Sequence, residues 1–212
     1  MMQSTVEDLR VRLKNAADFL FQKSLVRGIE GNISARVPEL GAMLIKPTGL
    51  PMNKIPPEDY VLVKLDGTII EGSKPPSKET PMHLEVYRRR PEVNAIVHTH
   101  SKMATVFAIV GKPVRAVWMK AAVYGLYEVP VLPFLRSGSV EMGVEVAKAL
   151  EGRRAVLLQN HGSVSVGKTI EEACNVALAL EETAEMQFLA SLIGPPRFIT
   201  LDEMEIIKKT GE

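Results

Sequence analysis

Cysteine is nearly absent. One residue, Cys174, in a chain of 212 excludes an intrachain disulfide framework and points to a reducing compartment, so a cytoplasmic location is expected. Within a helical pattern it reads as a small buried apolar residue rather than a nucleophile. An excess of either charge is also missing. Lys and Arg number 26 against 25 Asp and Glu, a net charge of +1 that offers nothing to nucleic acid or to an anionic membrane. No stretch approaches the roughly 18 apolar residues a membrane-spanning helix needs. The polar, acidic N-terminus lacks the pattern of a signal peptide. There is no internal repeat, low-complexity tract or Gly/Ser linker. The two short proline-rich patches, 47–57 and 75–81, read as shaped loops, so one domain over residues 1–212 is expected. No G-x-G-x-x-G opens a helix after a strand, which leaves a dinucleotide-binding fold without support. What remains, 46% apolar and 24% charged, is the composition of an ordinary globular protein.

Histidine is scarce as well, with four in the chain, and three of them fall at strand ends. In Ala95-Ile-Val-His-Thr-His-Ser101 the β-branched run predicts a strand. Side chains two apart on a strand share a face, so His98 and His100 point the same way. Val156-Leu-Leu-Gln-Asn-His-Gly162 is a second apolar strand ending in His161. Three convergent imidazoles with one exchangeable position form the pattern of a catalytic zinc site; two unrelated strand ends and a stray third are the alternative. The fourth histidine, His83, shares a helical face with Glu79, but it is expected to pack or hydrogen-bond locally rather than ligate.

The remaining pattern supplies the scaffold. Apolar spacing predicts an amphipathic helix over 4–26, with Gly28 at its end. Gly31-Asn-Ile-Ser34 leads into a short strand at 33–37 and reads either as a simple turn or as a loop whose amides face an anion. A strand at 43–46 ends in Pro47-Thr-Gly49. Residues 60–71 predict a hairpin about a two-residue Asp66-Gly67 turn. A loop over 72–79 opens a helix at about 79–90, with Ser77 as its N-cap; a helix start carrying Ser77 and Lys78 suits an anion, although Lys78 also reads as a solvated surface residue. Glu79 in that first turn is stabilised by the helix dipole whatever else it does. Further helices are expected at 101–110 and at 137–150, the latter with Val140, Val144, Ala147 and Leu150 on one face. Thr169 and Glu172 form a capping box for a long helix to about 193, with Phe188 on its inner face. Irregular alternation with a strong hairpin argues for a mixed or antiparallel sheet covered by helices.

Taken together, Gly31-Asn-Ile-Ser34, Lys46-Pro-Thr-Gly49, Glu71-Gly with Pro76-Ser-Lys-Glu79, His98-Thr-His-Ser101 and Asn160-His-Gly162 resemble the class II aldolase/adducin-head family, most closely its L-fuculose-1-phosphate aldolases. The resemblance covers about residues 5–193. It implies an α/β fold, a three-layer α/β/α sandwich with a largely antiparallel central sheet. It implies one Zn2+ per subunit on His98, His100 and His161, with Glu79 as acid/base and an additional ligand of the resting metal. Gly31, Asn32, Thr48, Gly49, Ser77 and Lys78 would surround a sugar phosphate. The implied reaction is cleavage of a ketose 1-phosphate to dihydroxyacetone phosphate and an aldehyde. The implied assembly is a homotetramer with active sites between subunits.

Two positions depart from the family pattern. Ser77-Lys78-Glu79 stands where the aldolases read Ser-Ser-Glu. Trp118 falls where they carry a tyrosine from the neighbouring subunit, and an indole N–H is no equivalent acid; Tyr124 and Tyr127 are the nearby alternatives. L-ribulose-5-phosphate 4-epimerase, methylthioribulose-1-phosphate dehydratase and a non-enzymatic adducin head share the fold. The epimerase reading lacks an aspartate at 79, an acidic residue in 117–125 and any tyrosine after Tyr127. An adducin head has no need of a full histidine trio.

Overall fold

The computed structural model of the protein describes residues 5–210. Helix α1 (Val6–Gln22) is capped by the Thr5 hydroxyl, which accepts the Asp8 N–H. It buries Leu9, Leu13, Ala16, Ala17 and Leu20 at helical spacing. The helix stops at Lys23, before the expected Gly28, because Ser24 takes a left-handed φ of 59°. Strands β1 (Asn32–Val37), β2 (Ala42–Ile45), β3 (Val61–Lys64) and β4 (Ile69–Glu71) follow as an antiparallel meander. The β3–β4 connection is longer than the expected two-residue turn. Lys64 N–H bonds Thr68 O and Gly67 N–H bonds Lys64 O, with Gly67 at φ 100°, so a three-residue loop with a left-handed glycine closes the hairpin.

Helix α2 (Thr80–Arg89), strand β5 (Ala95–Thr99), helix α3 (Lys102–Ile109), strand β6 (Val114–Arg115), the short helix α4 (Met119–Val123) and strands β7 (Glu128–Val129) and β8 (Val131–Leu132) form the middle of the chain. Helix α5 (Val140–Ala149), strands β9 (Ala155–Leu158) and β10 (Gly162–Gly167), and helices α6 (Ile170–Ile193) and α7 (Leu201–Thr210) complete it. The main sheet has eight strands in the order β4-β3-β2-β1-β5-β10-β9-β8, antiparallel throughout except for the β8–β9 pair. This is the expected mostly antiparallel α/β architecture. No helix among the described residues is long and apolar enough to cross a membrane.

Strand alternation divides the core into layers. Ile33, Ala35, Ala42, Leu44, Ala95 and Val97 face α1 and the first turns of α6. Their neighbours Met43, Ile45, Ile96, Val156, Val164 and Val166 face α2 and α5. Asn32, Ser34 and His98 therefore point toward α2. Helices α2 and α5 approach closely at Gly143, where a Cβ would lie 2.9 Å from the Pro81 carbonyl oxygen. The buried face of α5 is Met142, Gly143, Val146 and Ala147, and Val140 points outward at 60% exposure, so the expected face is rotated. Phe188 likewise lies on the outer side of α6. The expected capping box is displaced by one residue: Thr169 Oγ1 accepts the Glu172 N–H, and the Glu172 carboxylate accepts from Lys168 N–H. Cys174 is buried in the α1 layer, and burial pushes its thiol up to about 12.

Two helix ends are finished from another layer. Arg36 on β1 donates to the carbonyls of Tyr87 and Arg90 at the end of α2, at 2.5 and 3.0 Å. Glu181 on α6 accepts the N–H groups of Met103 and Ala104 at the start of α3, both at 2.8 Å. Ser101, the residue at the α3 N-cap, makes no side-chain cap of its own. Glu181→Ala should therefore lower stability by about 1–2 kcal/mol, the usual value of a lost N-cap. A urea unfolding midpoint equal to that of the wild type would show that α3 does not depend on this carboxylate.

Candidate active site

Strand β5 carries His98 on its α2 face, and the chain leaves the strand at His100. The β9–β10 turn brings His161 beside them. Asn160 takes a left-handed φ of 57° there, which asparagine tolerates better than most side chains. The residue after His161 must be glycine, since a Cβ on Gly162 would lie 2.3 Å from the Thr99 carbonyl oxygen and 2.9 Å from His100 Cδ2. The three imidazole centroids are 4.8, 4.8 and 4.9 Å apart. One ligand atom from each ring lies within 4.8 Å of the others.

The outer hydrogen bonds set the ring protons. His98 Nδ1–H donates to the Ser163 carbonyl at 2.9 Å, and His100 Nδ1 faces the Glu30 carboxylate at 3.4 Å. The Nε2 atoms of His98 and His100 then face each other at 3.0 Å. Two ring nitrogens at that distance share either a proton or a cation between them. The spacing fits a divalent ion: zinc–nitrogen bonds of about 2.0–2.1 Å at tetrahedral angles separate ligand nitrogens by about 3.3 Å. Burial and the His98 charge lower His100, and the same causes bring His161 to about 4. Only His98 is raised; burial opposes this, but the adjoining Glu79 carboxylate outweighs it.

Glu79 is 6% exposed and lies against the trio. Its Oε2 is 3.0 Å from His98 Nε2, and its Oε1 is 3.4 Å from His161 Nε2. Asn32 Nδ2–H donates to Oε2 at 2.8 Å, and the Ser137 hydroxyl donates to Oε1 at 2.7 Å. Burial alone would raise the Glu79 pKa. The facing His98, the hydrogen bonds from His98 and Ser137, and His161 outweigh it and hold the group well below the usual carboxylate range. Sequence reasoning gave no role to Ser137. It is placed by Gly138, at φ 75°, where a Cβ would lie 2.7 Å from the Lys78 carbonyl oxygen.

The candidate phosphate loops are paired with each other. Pro47 and Pro76 form a bridge, Thr48 N–H bonds Pro75 O at 3.0 Å, and Ser77 N–H bonds Lys46 O at 3.0 Å. The Thr48 and Ser77 amides are thus already used. The Thr48 and Ser77 hydroxyls and the Gly49 and Lys78 amides remain, the latter two making no hydrogen bond among the described residues. Ser77 is not the N-cap of α2. Glu79 holds that position, and Ser77 Oγ accepts the Glu79 N–H at 3.3 Å. Lys78 is exposed. Gly31, at φ 69°, passes under the His98 carbonyl, where a Cβ would lie 2.7 Å from the oxygen. Lys46, another residue without an assigned role, is 2% exposed. Its Nζ donates to Ile29 O at 3.2 Å and ties this loop to that of Gly31, and burial lowers its pKa to about 8.

The aromatic stretch does not reach this chain's own histidines. Trp118 Nε1–H donates to Thr183 Oγ1 at 2.9 Å. Tyr124 and Tyr127 line a separate cleft of about 820 Å³ with Arg153, Arg154 and Met204.

A three-layer sandwich with three histidines and a glutamate at one sheet end defines a class of metal-dependent lyases. Residues 11–188 match the Class II Aldolase and Adducin N-terminal domain, and the chain belongs to that family. It is 37% identical over 193 residues to the 5-deoxy-D-ribulose 1-phosphate aldolase of Bacillus thuringiensis serovar kurstaki, covering 91% of this chain and 90% of that one. It is 34% identical over 197 residues to the 5-methylthioribulose-1-phosphate/5-deoxyribulose-1-phosphate aldolase of Rhodospirillum rubrum, covering 93% and 88%. A solved L-fuculose 1-phosphate aldolase superposes with a TM-score of 0.92 at 33% identity, covering 100% of this chain and 99% of that one. The protein is thus an enzyme of the class II, metal-dependent aldolase type.

Two variants test the histidine geometry. Gly162→Ala should displace His100 and, like His98→Ala, reduce the bound divalent metal well below that of the wild type by elemental analysis. Undiminished metal in both would remove the trio as the binding site.

Proposed function

We propose that the protein is a zinc-dependent aldolase that reversibly cleaves a ketose 1-phosphate to dihydroxyacetone phosphate and an aldehyde. The observation that carries this reading is the meeting of His98, His100, His161 and Glu79 beside the paired loops. An ion held by three imidazoles supplies Lewis-acid polarisation of the substrate's neighbouring oxygens. The Ser77 and Thr48 hydroxyls and the Gly49 and Lys78 amides, with Gly31 and Asn32 beside them, bind the phosphate and orient the sugar. In cleavage the group that faces the aldehyde oxygen takes the C4 hydroxyl proton, the C3–C4 electron pair passes to C3, and Glu79, having taken a proton from solvent, returns it to C3 and is left ionised. In synthesis Glu79 removes that proton.

L-Fuculose 1-phosphate, giving L-lactaldehyde, is the first substrate. 5-Deoxyribulose 1-phosphate, giving acetaldehyde, is the second; the 37% identical Bacillus relative carries that name. Trp118 has spent its donor on Thr183, so within this reading the group that protonates the aldehyde oxygen comes from elsewhere. A homotetramer with sites between subunits meets that need, and the cytoplasm is the proposed location. Sedimentation of the active enzyme as a tetramer is expected; a fully active monomer would contradict it.

Glu79→Gln keeps the shape of the side chain but cannot accept the proton. It should lose about 10²–10⁴-fold in kcat, the usual contribution of acid–base catalysis, while zinc stays on the histidines. Ser77→Ala should raise KM more than it lowers kcat, because phosphate contacts are largely uniform binding. Release of dihydroxyacetone phosphate from the two ketose 1-phosphates and from ribulose 5-phosphate, with zinc content measured alongside, reads all of this. Loss of zinc from Glu79→Gln would make Glu79 mainly a ligand. Near-normal turnover would put the base elsewhere.

A further inference from the structure

His83 is the histidine that the proposed chemistry does not use. It is fully buried on α2, between that helix and the sheet. Its Nε2 is hydrogen-bonded to Asn32 Oδ1 and its Nδ1 lies 2.7 Å from Ser34 Oγ. Ser34 Oγ in turn lies 2.8 Å from the hydroxyl of Tyr87, itself buried on α2. The β1–β5 register explains the grouping: Asn32 pairs with His98 and Ser34 with Ile96, all on the face toward α2. Tyr87, Ser34, His83 and Asn32 thus form a buried line that ends on Glu79.

The direction of every hydrogen bond in this line follows from its ends. An ionised carboxylate only accepts, so Asn32 turns its Nδ2 toward Glu79, at 2.8 Å. Asn32 Oδ1 then faces His83 and must accept from Nε2–H. His83 Nδ1 is left bare and accepts the Ser34 hydroxyl proton. Ser34 has no second proton, so Tyr87 O–H donates to Ser34 Oγ. Reversing the line would aim Asn32 Oδ1 at the Glu79 carboxylate and leave the Tyr87 hydroxyl proton without an acceptor. Both are costly in a buried site. Burial also lowers the His83 pKa to about 3, so the ring is neutral near neutral pH.

We propose that His83 is a positioning residue that fixes the orientation of the Asn32 carboxamide and, through it, holds the Glu79 carboxylate in line with the histidine trio. The proposal rests on the reading of Glu79 as the acid/base group and extends it. Ser137 grips Oε1 and Asn32 grips Oε2, so both carboxylate oxygens are held. Without His83 the Ser137 contact remains, and the carboxylate can turn about it.

The test uses the metal-loaded enzyme and whichever ketose 1-phosphate the wild type cleaves. His83→Phe keeps the ring volume and removes both polar atoms. It should lower kcat about 10–100-fold, the scale of a small misplacement at a reacting group, with KM within about threefold and metal content unchanged. His83→Gln restores an N–H toward Asn32 and should recover most of the loss. In an Asn32→Ala background, His83→Phe should add almost nothing, because the two act in series. Independently of activity, the nitrogen chemical shifts of the wild-type ring at neutral pH should report the Nε2–H tautomer, which decides the matter even if His83→Phe does not fold. An Nδ1–H tautomer, full kcat in His83→Phe, or additive losses in the double variant would overturn the proposal. Glu79→Gln run in the same assay separates the two levels: unimpaired turnover there rejects the role of Glu79, whereas an impaired Glu79→Gln beside an unimpaired His83→Phe rejects that of His83 alone.

Discussion

Glu79 places a negative charge where only 6% of the residue is exposed. Burying such a charge is strongly unfavourable unless its oxygens are matched by donors or cations. Here the matching groups come from four parts of the chain: Asn32 on β1, His98 at the end of β5, His161 in the β9–β10 turn and Ser137 ahead of α5, while the Ser77 hydroxyl accepts the Glu79 backbone N–H. Each is held by a requirement of its own. Gly31 and Gly162 let the backbone pass close to β5, Gly138 sets Ser137 against the Lys78 carbonyl, and the Pro47–Pro76 bridge locks the two loops together. The site is stiff because the scaffold around it leaves these groups few alternatives.

A similar logic reaches the helix ends. Arg36 finishes α2 from β1, and Glu181 finishes α3 from α6. Helix α2 begins at Glu79 and α3 follows directly after His100. Both helices that frame the site are therefore pinned at one end by a charged side chain from another layer. Charge-assisted bonds of this kind are stronger than neutral ones and more directional than apolar packing.

Local rules made much of this visible in the sequence. The two-residue period of a strand placed His98 and His100 on one face, and an apolar run into Asn-His-Gly placed His161 at a turn. The Thr169 cap and the hairpin at 60–71 were also legible, because their signals lie within a few residues of each other. What stayed hidden depends on partners distant in the chain. Ser137 is an unremarkable loop serine until α5 docks on α2. The Thr48 and Ser77 amides look available until the loops are seen to pair. Val140 has the right spacing for a core face, but Gly143 turns the helix so that Met142 and Val146 pack instead. Capping by Arg36 and Glu181 crosses layers and leaves no local signature.

The three imidazoles come from two segments that lie far apart along the chain, the end of β5 and the β9–β10 turn. In the unfolded polypeptide they do not form a common site. An ion bound by all three therefore favours the folded ensemble by mass action and closes a long loop, adding its binding free energy to conformational stability. Local opening of either segment breaks the set. Loss of such an ion would then lower the stability of the folded chain as well as its turnover, leaving it more readily unfolded and cleaved.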